Sequence, residues 1–209
     1  MAAASDLTLV DYLVPRRVSR SLNLLRDGLL VIGFSLFTTL CAHISFPLPF
    51  TPVPVTLQTL AVLLTGAALG SRRGGLALLL YLAEGAAGLP VFSPIPSGPG
   101  GIAALLGITA GYLWSFPIAA FVTGWLCERQ LDRSILTSAL AMLPGTLITY
   151  LIGVSWLAVA LHLDAGTAIK LGMLPFIPGD LLKLVIAAAL LPTTWSVVRR
   201  VKPDLHDMR

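Results

Sequence analysis

The stretch LTSALAMLPGTLITYLIGVSWLAVAL (Leu136–Leu161) contains no Asp, Glu, Lys or Arg. As a helix rising 1.5 Å per residue, it is long enough to cross the ~30 Å hydrocarbon core of a bilayer. Pro144 inside it does not forbid a span, because neighbouring helices can satisfy the backbone groups that a proline frees. The rest of the chain has the same character. Of 209 residues, 56% are hydrophobic and 11% are charged, and the mean hydropathy is +0.87. Soluble domains carry about 25% charged residues, so a chain this apolar can cover its surface only with lipid.

Working outward from that stretch, six apolar segments emerge: Leu29–Phe46, Val55–Gly70, Gly75–Leu89, Ile102–Leu126, Leu136–Leu161 and Leu181–Val198. The expected fold is an all-α integral membrane bundle of six transmembrane helices. Residues 1–28 form an N-terminal cytoplasmic or interfacial segment, 29–198 the membrane domain and 199–209 a cytoplasmic tail. Basic residues precede the first apolar stretch, yet no A-x-A-like cleavage site follows it, so that stretch reads as a retained span. Gly66, Gly70, Gly74 and Gly75 are expected to permit close helix packing and a tight turn around Arg72-Arg73.

Lysine and arginine orient the bundle, because they are retained on the cytoplasmic side. With both termini inside, the inner segments hold 12 of the 14 basic residues, including Arg16, Arg17, Arg72, Arg73, Arg129, Arg133, Lys202 and Arg209. The outer loops hold only Lys170, and Lys183 falls at the start of the last span. This asymmetry accounts for the net charge of +4 without any nucleic-acid partner. Proline is distributed the other way, with 10 of 15 in the outer connections, among them Pro47, Pro49, Pro52, Pro54, Pro90, Pro96, Pro99, Pro175 and Pro178. Those loops also carry Phe46, Phe50, Phe92 and Phe176 and few charges, which suits a stiff packed cover over the outer face. Two readings stay open for them, a pocket wall or simple interfacial packing. The outer-loop sequences LPFTP (Leu48–Pro52) and LPFIP (Leu174–Pro178) resemble each other, as pseudo-symmetric elements around a shared cavity would.

Enzymatic chemistry has no visible machinery. The chain contains neither GxxxxGK[ST] nor GxSxG, its histidines His43, His162 and His206 are scattered, and Cys41 and Cys127 have no ligand-like spacing. No catalytic residue, metal site or cofactor is expected, and any ATP-driven step requires a partner. Binding residues are easier to nominate, because ionisable groups at membrane depth cost ~3 kcal/mol each and are functional candidates by default. Asp180 and Lys183 are three apart and share a helix face. Asp180 follows Pro178-Gly179, where a helix N-terminus stabilises negative charge and, with the ammonium, attracts a carboxylate. The competing reading is a cap and a snorkelling lysine. Glu84 either accepts from a ligand or reaches the interface. Gln58, two residues after Thr56, offers donor and acceptor to a ureido or amide group, or acts as interhelical glue. Tyr112 and Trp114 are pocket walls or part of an aromatic belt.

Three ordered motifs give the chain a family resemblance. PFTPVPVTLQTLAVLLTGAALG (Pro49–Gly70), YLAEGAAGLPVF (Tyr81–Phe92) and PFIPGDLLK (Pro175–Lys183) resemble signatures of the BioY family of biotin transporters. The resemblance implies the substrate-binding S component of an energy-coupling factor transporter, resident in the cell membrane. Such a component works with a transmembrane coupling protein and two cytoplasmic ATPases. It implies that Asp180 and Lys183, in the PGDxxK motif, contribute to biotin binding, with Lys183 expected at the carboxylate and Asp180 and Gln58 at the ureido group, in an assignment that could be exchanged. Gln58 and Thr56 match the first motif, whose Pro47–Pro54 segment, with Phe50, matches a loop that closes over the site; Glu84, Tyr81 and Gly88 lie in the second. Two departures stand out. GITAGYL (Gly107–Leu113) replaces the usual GPTGGYL, and Ser35 and Thr39 stand where family members dock their partner with an AxxxA repeat. The alternative function is a proton-coupled carrier of a carboxylate-bearing vitamin, with Glu84 or Asp180 holding the proton.

Overall fold

The computed structural model describes residues 8–15, 18–94 and 100–201. Arg16, Arg17, Lys202, His206, Arg209, Pro96 and Pro99 lie outside the described residues. Among the described residues there are eight α-helices: α1 (Leu9–Leu13), α2 (Arg20–His43), α3 (Gln58–Leu69), α4 (Ser71–Ala86), α5 (Ala110–Leu126), α6 (Ile135–Ala160), α7 (Ala165–Gly172) and α8 (Ile177–Val201). Four of these regions are long and apolar enough to cross a bilayer: α2, α5 with its π-helical continuation to Leu131, α6, and α8 up to Val198. α3 is apolar but has 12 residues, and α4 has 16.

Several boundaries differ from the sequence expectation, each for a local reason. α2 begins at Arg20, well before Leu29, because no helix breaker separates the polar Arg20–Gly28 stretch from the apolar one. It ends at His43, and Ser45–Phe46 pairs antiparallel with Val55–Thr56 as strands β1 and β2. This two-residue ladder departs from an all-α fold and closes the Pro-rich segment into a hairpin, where Pro47, Pro49, Pro52 and Pro54 need donate nothing to a helix. The region expected to open the fourth span at Ile102 is a 3₁₀ turn, Gly101–Leu105, and α5 starts at Ala110. Here Gly101 adopts φ +67°. α8 starts at Ile177 rather than Leu181, since Pro178 is tolerated in a first turn whose N–H groups are free anyway. The turn between α3 and α4 is at Gly70, with φ +83°, and Arg72 and Arg73 are already helical. α7 had no counterpart in the sequence reading.

α5 is the central helix, more than half buried, and packs on α3, α4 and α6; α8 lies against α6 and α3, and α2 against α4 and α3. The α3–α5 approach is set by Gly66, where an added Cβ would lie 2.3 Å from the Ala120 carbonyl oxygen. Elsewhere the outward surface is apolar: Leu40 on α2 is 69% exposed and Leu151 on α6 is 71% exposed. A water-facing bundle would not place leucines there, whereas lipid tails accept them.

The end of the bundle opposite the hairpin is polar and tied together. Glu128 accepts from the Ser71 N–H at 2.7 Å and from its hydroxyl at 3.0 Å. Trp195 Nε1 donates to Asp132 at 2.5 Å, while the Arg133 guanidinium stacks over the Trp195 ring. Asp11 of α1 receives Arg73 of α4 at 2.6 Å and Arg26 of α2 at 2.9 Å.

Candidate substrate-binding site

At the hairpin end, the helices enclose a cavity of about 610 Å³ whose walls come from α3, α5, α6, α8, the hairpin, the connection between α4 and α5, and the last residues of α2 and α7. Most of the wall is apolar, contributed by Val53, Val62, Phe92, Leu113, Phe116 and Phe176 among others. Polar groups gather on one side. Lys183 Nζ donates to Asp180 Oδ1 at 2.7 Å and to Thr59 Oγ1 at 3.0 Å. Thr59 Oγ1 in turn donates to the same carboxylate oxygen at 3.2 Å, and the Tyr150 hydroxyl donates to Asp180 Oδ2. Three helices thus converge on one carboxylate, which is how an ion pair survives in an apolar bundle: its charge is matched and its lone pairs are filled. Lys183 is 8% exposed.

α3 supplies the adjoining neutral group. Its first residue, Gln58, is held by its backbone N–H to Thr56 Oγ1 at 3.2 Å. Its side-chain Nε2 donates to the Tyr81 hydroxyl at 2.6 Å, and Tyr81 donates onward to the Val91 carbonyl at 3.0 Å. Tyr81 is fully buried and meets Phe92 edge-on, with ring centroids 5.4 Å apart. Across the cavity the Tyr112 hydroxyl donates to the Gly172 carbonyl at 2.7 Å, and Thr51 of the hairpin loop donates to the Leu171 carbonyl at 2.7 Å. The end of α7 is therefore pinned both to α5 and to the Pro-rich segment.

Of the residues nominated from sequence, Asp180, Lys183, Gln58, Thr56 and Tyr112 line the cavity together. Tyr81 does not line it but sits directly behind Gln58. Glu84 is turned away, accepting from Ser35 Oγ on α2 at 2.5 Å. Phe50 is 61% exposed and outside the wall, whereas Phe176, its counterpart in the similar LPFIP segment, is 8% exposed and inside it. Trp114 Nε1 donates to the Leu105 carbonyl and stays outside the lining. Thr59, Tyr150, Thr146 and Thr149 are lining residues that the sequence reading missed. A tyrosine and threonines one turn apart within the otherwise apolar α6 were the available signal.

Among the described residues no cluster of His, Cys, Asp and Glu could hold a metal ion.

The geometry can be set beside known proteins. The model of the BioY family matches residues 14–200. The biotin transporter BioY of Rhizobium etli is 40% identical over 150 residues, covering 68% of this chain and 78% of its own length. That of Thermotoga maritima is 41% identical over 161 residues, covering 76% and 90%. A crystal structure of the S-component for biotin from an ECF-type ABC transporter matches with a TM-score of 0.73 over 90% of this chain and 95% of that chain. At 24% identity, this last likeness speaks for the fold. The match over nearly the whole chain and the identities to curated relatives place it without ambiguity: the chain belongs to the BioY family.

Proposed function

We propose that this chain takes up biotin, as the membrane-embedded substrate-binding component of an energy-coupled transporter. It is a multi-pass membrane protein and a transport component rather than an enzyme. The observation that carries the reading is the Asp180–Lys183–Thr59–Tyr150 cluster set in the wall of an otherwise apolar cavity, in a chain of this family. A cavity of about 610 Å³ lies within the ~300–1,000 Å³ range of small-molecule sites. Its apolar walls suit a thiophane ring and an alkyl chain. Gln58, Thr59 and the ion pair offer the mixed donors and acceptors that a ureido group requires.

In this reading α3 and α4 complete six spans with the four longer helices, and both termini lie in the cytoplasm. The placement of 12 of 14 basic residues on one side supports that orientation. Ligand then enters from the hairpin end, beneath the Pro-rich loops. The chain has no phosphate-binding loop, so ATP hydrolysis falls to two partner ATPases acting through a transmembrane coupling protein. Proton coupling is disfavoured because Asp180 is engaged by a lysine, a threonine and a tyrosine. Calorimetry of the purified protein with biotin and with unrelated vitamins tests the substrate. Heat with another vitamin and none with biotin overturns the assignment.

A further inference from the structure

Among the described residues lining the cavity, those able to carry charge are His43, Tyr112, Tyr150, Asp180 and Lys183. Lys183 and Asp180 neutralise each other at 2.7 Å. An anionic ligand therefore meets no unopposed cation at the buried end. His43 differs. It is the last residue of α2, is exposed, and lines the cavity where the hairpin begins. Its Nδ1 lies 2.9 Å from the Thr39 carbonyl oxygen. A carbonyl can only accept, so Nδ1 carries the hydrogen and Nε2 is the nitrogen left to gain or lose a proton.

We propose that His43 is a specificity-determining residue that binds the ligand's carboxylate at the rim of the cavity through protonated Nε2. The inference rests on the biotin reading above. Biotin has a neutral ureido end and one ionised end. An ionised carboxylate is least costly where water reaches it, which is at the rim rather than beside buried Gln58 and Lys183. The sequence-based expectation of Lys183 at the carboxylate gives way because that ammonium already faces Asp180.

Among the described residues no other charged group competes for this role. α8 brings only the Asp180–Lys183 pair to the cavity, α5 and α6 bring Tyr112 and Tyr150, and α3 brings neutral side chains. Glu84 on α4 accepts from Ser35, Lys170 on α7 is outside the lining, and residues 95–99 include no titratable side chain.

Imidazole changes charge between about pH 5 and 8, where a carboxylate stays ionised. The test is the Kd of purified protein for biotin and for biotinamide, which keeps the head and lacks the charge, at about pH 6 and about pH 8. Biotin binding is expected to weaken about fivefold from the lower to the higher pH, as befits one exposed charge pair. Biotinamide binding should not change, and His43→Gln should bind both ligands without pH dependence. An equal slope for biotinamide, an equal slope in His43→Gln, or a flat wild-type profile overturns the proposal. Failure of both ligands to bind at either pH removes the biotin reading itself.

Discussion

Tyr81 never reaches the cavity, yet its hydroxyl stands 2.6 Å from Gln58 Nε2 and fixes how that amide sits in the cavity wall. The same hydroxyl donates to the Val91 carbonyl, so one buried tyrosine joins α3 to the connection after α4. Removing it leaves a buried amide donor unpaired, at a cost of about 1–3 kcal/mol.

Tyr81→Phe is accordingly expected to weaken biotin binding by about tenfold while the bundle remains folded. The informative comparison is a double-mutant cycle. In a Gln58→Ala background the tyrosine change should add little, because there is no amide left to orient. Equal losses in both backgrounds would show that Tyr81 acts independently of Gln58.

The Asp180–Lys183 pair yields a second expectation. Breaking a buried pair strands the remaining charge, at about 3–5 kcal/mol. Lys183→Ala should therefore lower the melting temperature in detergent and weaken biotin binding by at least about a hundredfold. Asp180→Asn combined with Lys183→Met, which leaves no charge stranded, should recover most of the stability and little of the affinity. Recovery of affinity in the double variant would mean that the pair only holds α8 in place.

These residues were not equally visible beforehand. The spacing of Asp180 and Lys183 puts them on one helix face, and membrane depth makes any charge conspicuous, so both were legible. Tyr150 and Thr59 were not, because their role exists only where α6 and α3 pack against α8, across separations of 30 and 121 residues from Asp180. Phe50 and Phe176 part for the same kind of reason: LPFTP and LPFIP share letters, but the first lies in a hairpin tip and the second runs into the first turn of α8. The four long spans were legible from apolar length, whereas the ends of the helices were set by breakers such as Gly101 and by the β1–β2 ladder, which composition does not encode.

Close packing of α3 on α5 makes a sharper stability test. A methyl at Gly66 would meet the Ala120 carbonyl oxygen at 2.3 Å, and both partners are helical backbone. Nothing can rotate away, so the helices must separate. Gly66→Ala should destabilise the protein by about 1–3 kcal/mol. Gly33 on α2 has nothing within 4 Å of the same methyl, and Gly33→Ala should be neutral or slightly stabilising through helix propensity. Parallel melting curves of the two variants decide the matter; similar melting temperatures would contradict the packing account.

Finally, the N-terminal helix α1 should be tethered in a pH-dependent way. Burial of Asp11 acts to raise its pKa, but the hydrogen bonds and charge of Arg73, with the Thr8 hydroxyl and N–H, outweigh it and hold the carboxyl well below the ordinary 3.8. A carboxylate whose pKa is lowered on folding stabilises the fold fully above its unfolded value and loses that contribution as pH falls towards the folded value. The relevant window therefore begins near pH 4 and extends downward, leaving neutral pH unaffected. Asp11→Asn, which leaves Asp27 to balance both Arg26 and Arg73, should melt below wild type at neutral pH. That gap should narrow as the pH is lowered through about 4 towards 3. A gap that stays constant over that range would mean that the Asp11 charge contributes nothing to holding α1 against α2 and α4.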